Sequence, residues 1–167
     1  KTFQWRKITP NFSKVYDYLW FSDGDIGLEK FNWVNYKQML NKYKPLLSQP
    51  SVLAKFKGGR ASDHKYLNWK KGKSIHKIHN IEVMSPFISN KIWPIIYEKL
   101  GLTDVRSIWE TEKFFNQVAK DCGSDKYINH LSPIVHYDFR NLKKNKSLDC
   151  RRKYFYSYNP SNYSSKI

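Results

Sequence analysis

Positive charge is concentrated in two segments of this sequence, and that placement limits where a folded core can form. Residues 55–80 carry eight Lys and Arg against one acidic residue, and residues 139–167 also carry eight against one. Residues 81–138 carry six against eight, so this part of the chain is close to neutral. Because dense like charge opposes compaction, we expect the regular structure to form outside the two basic segments.

The composition predicts one folded domain with a basic extension. The 167 residues are 40 % hydrophobic and include ten Phe, twelve Tyr and six Trp, which is enough side-chain area for a core. We predict a single core over residues 1–138 that includes a basic loop at 55–80, followed by an extended, tyrosine-rich basic tail at 139–167. No stretch reaches the roughly 18 uncharged apolar residues of a membrane span, and the first residues lack the apolar run of a signal sequence.

Apolar periodicity predicts three helices, over residues 28–47, 89–100 and 107–122. A proline-containing stretch ends the first helix, and a glycine follows each of the other two. Alternating or aromatic-rich segments predict strands at 15–21 and at two later positions, 78–84 and 134–139. The expected fold class is therefore α+β, a small mixed core of about three helices and a short sheet.

Basic residues are interleaved with aromatic residues in both charged segments, a pattern typical of proteins that bind RNA. Cations contact phosphates in such proteins, while aromatic rings stack on unpaired bases. We expect both segments to become ordered mainly on binding a partner. The candidate RNA-binding residues are Lys55, Lys57, Arg60, Lys65, Tyr66, Trp69, Lys70, Lys71, Lys73, Lys77, Arg140, Lys143, Lys144, Lys146, Arg151, Arg152, Lys153, Tyr154 and Tyr156.

The histidines are the main candidates for metal binding or catalysis. His76 and His79 are three residues apart, and His130 and His136 are six apart. A structural zinc site normally needs four nitrogen or sulfur ligands, and the two cysteines form no CxxC pair. The run 75–80 around His76 contains the residue types of an HNH-type nuclease but not its order of structural elements. We therefore predict no metal site and expect the histidines to lie on a basic surface, contacting phosphates or simply exposed.

The acidic segment Ser22-Asp23-Gly24-Asp25 allows three interpretations. Its spaced carboxylates suggest a calcium loop, but the further acidic ligands of such a loop are missing. It also resembles the acidic helix end of the LAGLIDADG homing endonucleases, although Leu19 and Trp20 replace the small residues that let two such helices pack closely. The preferred interpretation is a turn before the first long helix, with its acids near the positive helix N-terminus.

Two short segments are similar in order to the tenth ribosomal protein of the small subunit. Val83-Met84-Ser85-Pro86, followed by Asn90 and Lys91, resembles a Val-x-x-Ser-Pro segment that precedes basic residues in that family. Phe21 to Asp25, ahead of the first long helix, resembles its acidic turn. The resemblance covers a small part of the chain, and it implies a role in binding ribosomal RNA.

These observations predict a structural RNA-binding protein, most simply a mitochondrial ribosomal protein that contacts rRNA and neighbouring proteins. Lys outnumbers Arg 24 to 6, a bias that AT-rich genomes produce. Such a genome suits a mitochondrion, and the cytoplasm of a low-GC microbe or of a phage-infected cell is the alternative location. The alternative functions are a phage- or intron-type DNA endonuclease and an accessory structural subunit of a large organellar complex. We find no nucleophile elbow, catalytic carboxylate pair or phosphate-binding glycine loop, and predict no enzymatic activity, cofactor or small-molecule substrate.

Overall fold

A computed structural model of the protein describes residues 2–53, 64–102 and 108–137. The helices are α1 (Thr2–Trp5), α2 (Pro10–Ser13), α3 (Trp33–Tyr43), α4 (Trp93–Leu102) and α5 (Ile108–Asp121). The strands are β1 (Tyr18–Trp20), β2 (Ile26–Gly27), β3 (Leu47–Leu53), β4 (Ile75–Ile78), β5 (Phe87–Ser89) and β6 (Lys126–His136).

The six strands of the described residues belong to one mixed sheet, in which five follow the order β1-β5-β3-β6-β2 and β4 also pairs with β6. β3 and β6 are parallel neighbours, whereas the other pairings are antiparallel. The first part of β6 pairs with β4, and its last two residues pair with β2. The structure confirms the predicted α+β class, and the sheet is larger than expected.

Helices cover both faces of the sheet. Phe87 of β5 packs with Tyr36 of α3, whereas the next residue, Ile88, belongs to a cluster with α4 and α5. Because successive side chains of a strand point to opposite faces, α3 lies on one side of the sheet and the α4–α5 pair on the other. The N-terminal segment packs on the second side, where the Trp93 indole donates to the carbonyl of Ile8 at 2.8 Å.

The three long helices lie within one to five residues of their predicted limits, and local chemistry explains their ends. α3 begins after Asn32, whose side chain accepts a hydrogen bond from the Asn35 backbone N–H at 3.0 Å. It ends at Lys44, which adopts a left-handed conformation with φ of 44°. α5 is followed by Gly123, whose φ of 67° costs a glycine little.

The central strand β3 occupies a stretch where the sequence predicts only a helix end. The left-handed Lys44 and the following Pro45 turn the chain out of α3, so Leu47 is buried on the opposite face of the sheet. Pro50 has no N–H to donate, and it sits where the β3–β6 ladder shifts register. Residues 130–133 of β6 bulge at this shift.

Residues 81–84, predicted as part of a strand, are irregular and are held by side chains. The Asn116 side chain of α5 accepts from the Ile81 N–H at 2.8 Å and donates to the Ile81 carbonyl at 2.7 Å. The Glu82 N–H donates to the Gln49 amide oxygen at 2.8 Å. Asn116 therefore satisfies at Ile81 the two backbone groups that a neighbouring strand would otherwise pair.

Candidate nucleic-acid interface

Seven of the predicted RNA-binding residues lie in the described part of the chain, and all fall within a single stretch, 65–77. They are Lys65, Tyr66, Trp69, Lys70, Lys71, Lys73 and Lys77. The other candidates lie outside the described residues: Lys55, Lys57, Arg60, Arg140, Lys143, Lys144, Lys146, Arg151, Arg152, Lys153, Tyr154 and Tyr156.

The chain from 64 to 69 is anchored to β3. The Val52 N–H donates to the carbonyl of Leu67 at 2.8 Å, and the Val52 carbonyl accepts from the Trp69 N–H at 2.7 Å. Leu67 is fully buried in a cluster with Val52, and Tyr66 packs partly buried against it. Burial raises the pKa of Tyr66 to about 12, so its phenol is neutral. The expectation that a partner orders this part of the basic loop is wrong, because β3 and the core order it.

Residues 69–73, which we call the strap, pass over His130 of β6 and lead into β4. The Trp69 indole donates to the His130 carbonyl at 3.0 Å, and the Lys70 backbone N–H donates to His130 Nδ1 at 3.3 Å. A turn with Gly72 in the left-handed region then reverses the chain. The His130 N–H donates in turn to the Ser74 carbonyl at 2.8 Å. One residue of β6 thus fixes both ends of the strap.

His130 is buried, contrary to the expectation that the histidines lie on a basic surface. Its exposed fraction is 2 %, and its ring stacks on that of His76 with centroids 4.9 Å apart. Because Nδ1 accepts from Lys70, the proton of the neutral ring lies on Nε2, which has no hydrogen-bond partner among the described residues. Burial, together with the positive charges of His76 and of Lys70, lowers the pKa of His130 to about 4. The imidazole is therefore neutral at physiological pH.

The outer side of the strap carries the groups that a nucleic acid would contact. The side chains of Lys70, Lys71 and Lys73 are exposed, and Trp69 is 39 % exposed while its indole nitrogen is held. Burial lowers the pKa of both His76 and His130, and the nearby charges of Lys70 and Lys73 lower it further. Three cations beside a fixed, partly exposed indole can contact phosphates and stack on a base.

Two other predicted lysines differ in their surroundings. Lys65 is exposed on the turn that precedes the strap. Lys77 lies on β4, where its ammonium forms an ion pair with Asp125, and the bond to that carboxylate raises the Lys77 pKa. An RNA phosphate at Lys77 would compete with this carboxylate, so Lys77 fits the interface less well than the strap lysines.

The Asp23–Asp25 segment forms a turn, as the preferred interpretation predicted, but its two carboxylates do not lie at the N-terminus of a helix. The turn leads into β2, and α3 begins only at Trp33. Asp25 instead lies 3.2 Å from Nε2 of His136, a second histidine that is buried against expectation. Within the described ranges, no three His, Cys, Asp or Glu side chains are grouped to hold a metal ion.

The contact between the strap and His130 has only an indirect signal in the sequence. Lys126, Ile128 and His130 alternate along a segment that forms a strand, which would place the three side chains on one face. The partner residue Lys70 is 60 positions away, and periodicity carries no information about such a distant contact. The structure supplies this pairing and, with it, the position of the basic cluster.

Lowering the pH from 6.5 to 4 should destabilise the protein through His130. The unfolded chain binds a proton at this histidine near pH 6.5, whereas the folded chain does so only near pH 4. Stability is therefore lost as the pH falls through this window, by about 3 kcal/mol at most. Urea unfolding at pH 7.5 and at pH 4.5 should show a smaller difference for His130→Gln than for the natural chain. Substitution of the exposed His79 by Gln should leave the difference unchanged, and an equal effect of both variants would contradict the assignment.

The chain matches no protein-family model, no curated protein and no solved structure. Among the described residues, no helix is long and apolar enough to cross a lipid bilayer.

Proposed function

We propose that this chain is a structural RNA-binding protein, and specifically a protein of the ribosome of an organelle with an AT-rich genome. The observation that carries the proposal is the strap. It holds three exposed lysines and a partly exposed tryptophan against the sheet through His130. A fixed basic-aromatic surface of this kind suits a single-stranded or irregular RNA, because cations contact the backbone and rings stack on bases.

The charge of the whole chain supports a polyanionic partner. The formal net charge is +16, and the two basic segments contribute most of it. A protein that neutralises several phosphates gains affinity from counterion release, and this gain does not depend on base sequence. The similarity of residues 83–86 to the tenth small-subunit ribosomal protein points to rRNA as the polyanion. The biased use of Lys over Arg is consistent with an AT-rich genome, such as that of an organelle.

Isolation of the intact complex that contains this protein tests the proposal. We expect the protein to sediment with a ribosomal subunit and rRNA in a sucrose gradient, and ribonuclease treatment should shift it to lighter fractions. A protein that stays monomeric and does not bind RNA at low salt would overturn the proposal. Association with lipid-embedded subunits in the absence of rRNA would favour the accessory-subunit alternative. Divalent-metal-dependent cleavage of nucleic acid, lost when Asp23 and Asp25 are changed to Asn, would favour the endonuclease.

A further inference from the structure

A polar groove lies between the C-terminal half of α5 and the adjoining ends of β4 and β6. Its lining includes Lys113 and Lys120 of α5, His79 after β4, and Lys126 at the start of β6. Of these four residues, His79 alone lies in the basic loop. The list of predicted RNA-binding residues contains none of the four. The groove therefore brings together three lysines from the near-neutral part of the sequence, beside the carboxylates of Glu112 and Asp125.

Lys126 is the unusual member of this set because its charge is buried. The residue is 9 % exposed, and its ammonium donates one hydrogen bond, to the Asn116 carbonyl at 3.3 Å. An ammonium has three protons to donate, so two remain without an acceptor in the described part of the chain. Burial and the neighbouring charge of Lys120 both lower the Lys126 pKa.

The carboxylates that line the groove are engaged elsewhere. Asp125 forms an ion pair with Lys77, and a Glu112 oxygen accepts from the Val83 N–H at 3.3 Å. Lys113 pairs with Glu110 at 3.4 Å, so Lys120 and Lys126 are the two lysines of the groove that form no ion pair with another described residue. A buried charge without a counter-ion costs stability, and an anion in the groove would remove that cost.

The groove and the strap lie on the same face of the sheet. Ile128 lies two residues after Lys126 and pairs with His76, whose ring stacks on His130, so the side chains of Lys126 and His130 point to the same side of the sheet. Their Cα atoms lie about 13 Å apart along the strand. β4 spans this interval, because Ile78 pairs with Lys126 and the Ser74 carbonyl accepts from the His130 N–H. One strand of nucleic acid that follows β4 would meet the strap at one end and the groove at the other.

We propose that Lys120 and Lys126 of the groove each bind one backbone phosphate, on neighbouring nucleotides of the same RNA strand that contacts the strap. This inference rests on the proposed function, since it assumes an RNA partner. The buried ammonium of Lys126 supplies two directed hydrogen bonds to phosphate oxygens, and Lys120 supplies a second, mobile positive charge at the rim. The strap and the groove then define a continuous track along the edge of β4.

An RNA-binding assay on the full chain tests this inference. The probe is a labelled single-stranded RNA of about 12 nucleotides, and fluorescence anisotropy measures its affinity over a range of about 50 to 300 mM KCl. Each lost phosphate contact on a single strand reduces the slope of log affinity against log salt by about 0.7. The double change Lys120→Gln and Lys126→Met should therefore flatten the slope by about 1.4 and weaken binding about 25-fold at 0.1 M salt. The matched control, Lys37→Gln with Lys42→Met, removes two exposed charges from α3 on the other face of the sheet.

The outcomes separate this inference from the proposed function. If the natural chain binds RNA and neutralising the strap flattens the slope, while the groove variant behaves like the natural chain, the groove inference fails alone. If the natural chain does not bind RNA, the proposed function fails. The single variant Lys120→Gln changes only an exposed side chain and should flatten the slope by about 0.7. This single variant keeps the test valid even if Lys126→Met impairs folding. An unchanged salt slope for Lys120→Gln overturns the inference.

Discussion

Replacing Lys70, Lys71 and Lys73 together by glutamine should weaken binding to single-stranded RNA about 100-fold at 0.1 M salt. All three side chains are exposed on the strap, whose backbone is fixed by His130 and by β4, so the substitutions should leave the fold intact. Three lost phosphate contacts should also flatten the dependence of log affinity on log salt by about 2. Fluorescence anisotropy with a labelled oligonucleotide, repeated over a series of salt concentrations, measures both quantities.

A control with the same loss of charge distinguishes a local interface from a general effect of net charge. Lys30, Lys37 and Lys42 are exposed residues in and just before α3, which covers the opposite face of the sheet from the α4–α5 pair. Their simultaneous replacement by glutamine should change the salt slope by much less than the strap variant does. Equal salt slopes for the two triple variants would show that the strap lysines contact RNA no more than other exposed lysines do.

Asn116→Ala should lower the free energy of unfolding by about 3–4 kcal/mol, a large part of the ordinary stability of a domain. The Asn116 side chain is 5 % exposed and bonds both backbone groups of Ile81, and it also donates to the Glu112 carbonyl at 2.9 Å. Alanine would leave the N–H and the carbonyl of the fully buried Ile81 without these partners. Each unsatisfied buried group costs about 1–3 kcal/mol. Urea denaturation followed by far-ultraviolet circular dichroism measures the loss.

The adjacent residue provides the control for this substitution. Gln117 lies on the same helix and is exposed, and within the described residues its side chain bonds only that of Asp121, at 2.6 Å. Gln117→Ala should change the stability by no more than about 0.5 kcal/mol. A loss below about 1 kcal/mol for Asn116→Ala would mean that residues 81–84 find other hydrogen-bond partners, water included.

Sequence periodicity locates the helices well because helix formation is a local property. The apolar stripe of α5 at Phe115 and Val118 is visible in the sequence and is buried in the structure. The strands are harder to find, since the central strand β3 contains Ser48, Gln49 and Pro50 and has no alternating pattern. Its burial follows from partners on β5 and β6 that lie far away in the sequence. A period of two residues cannot reveal a strand that is buried on both sides.

The candidate site shows the same division between local and distant information. The cluster of Lys70, Lys71 and Lys73 is visible as local charge density, and the structure places all three on one exposed turn. The fixed position of that turn depends on His130, which the sequence marks only as one of several histidines. Lys126 gave no signal at all, because a single lysine at a strand start is indistinguishable from an ordinary surface residue until its burial is known.

The position of β6 in the sheet has a consequence for how the protein folds during synthesis. β3, β4 and β2 are all translated before β6, yet each of them pairs with it. Until β6 leaves the ribosome, one edge of β3 remains open to unwanted pairing with other chains. The pairing of β3 with β6 spans a large part of the sequence, a high contact order that slows folding. Cotranslational folding of this sheet is therefore incomplete until its last described strand emerges.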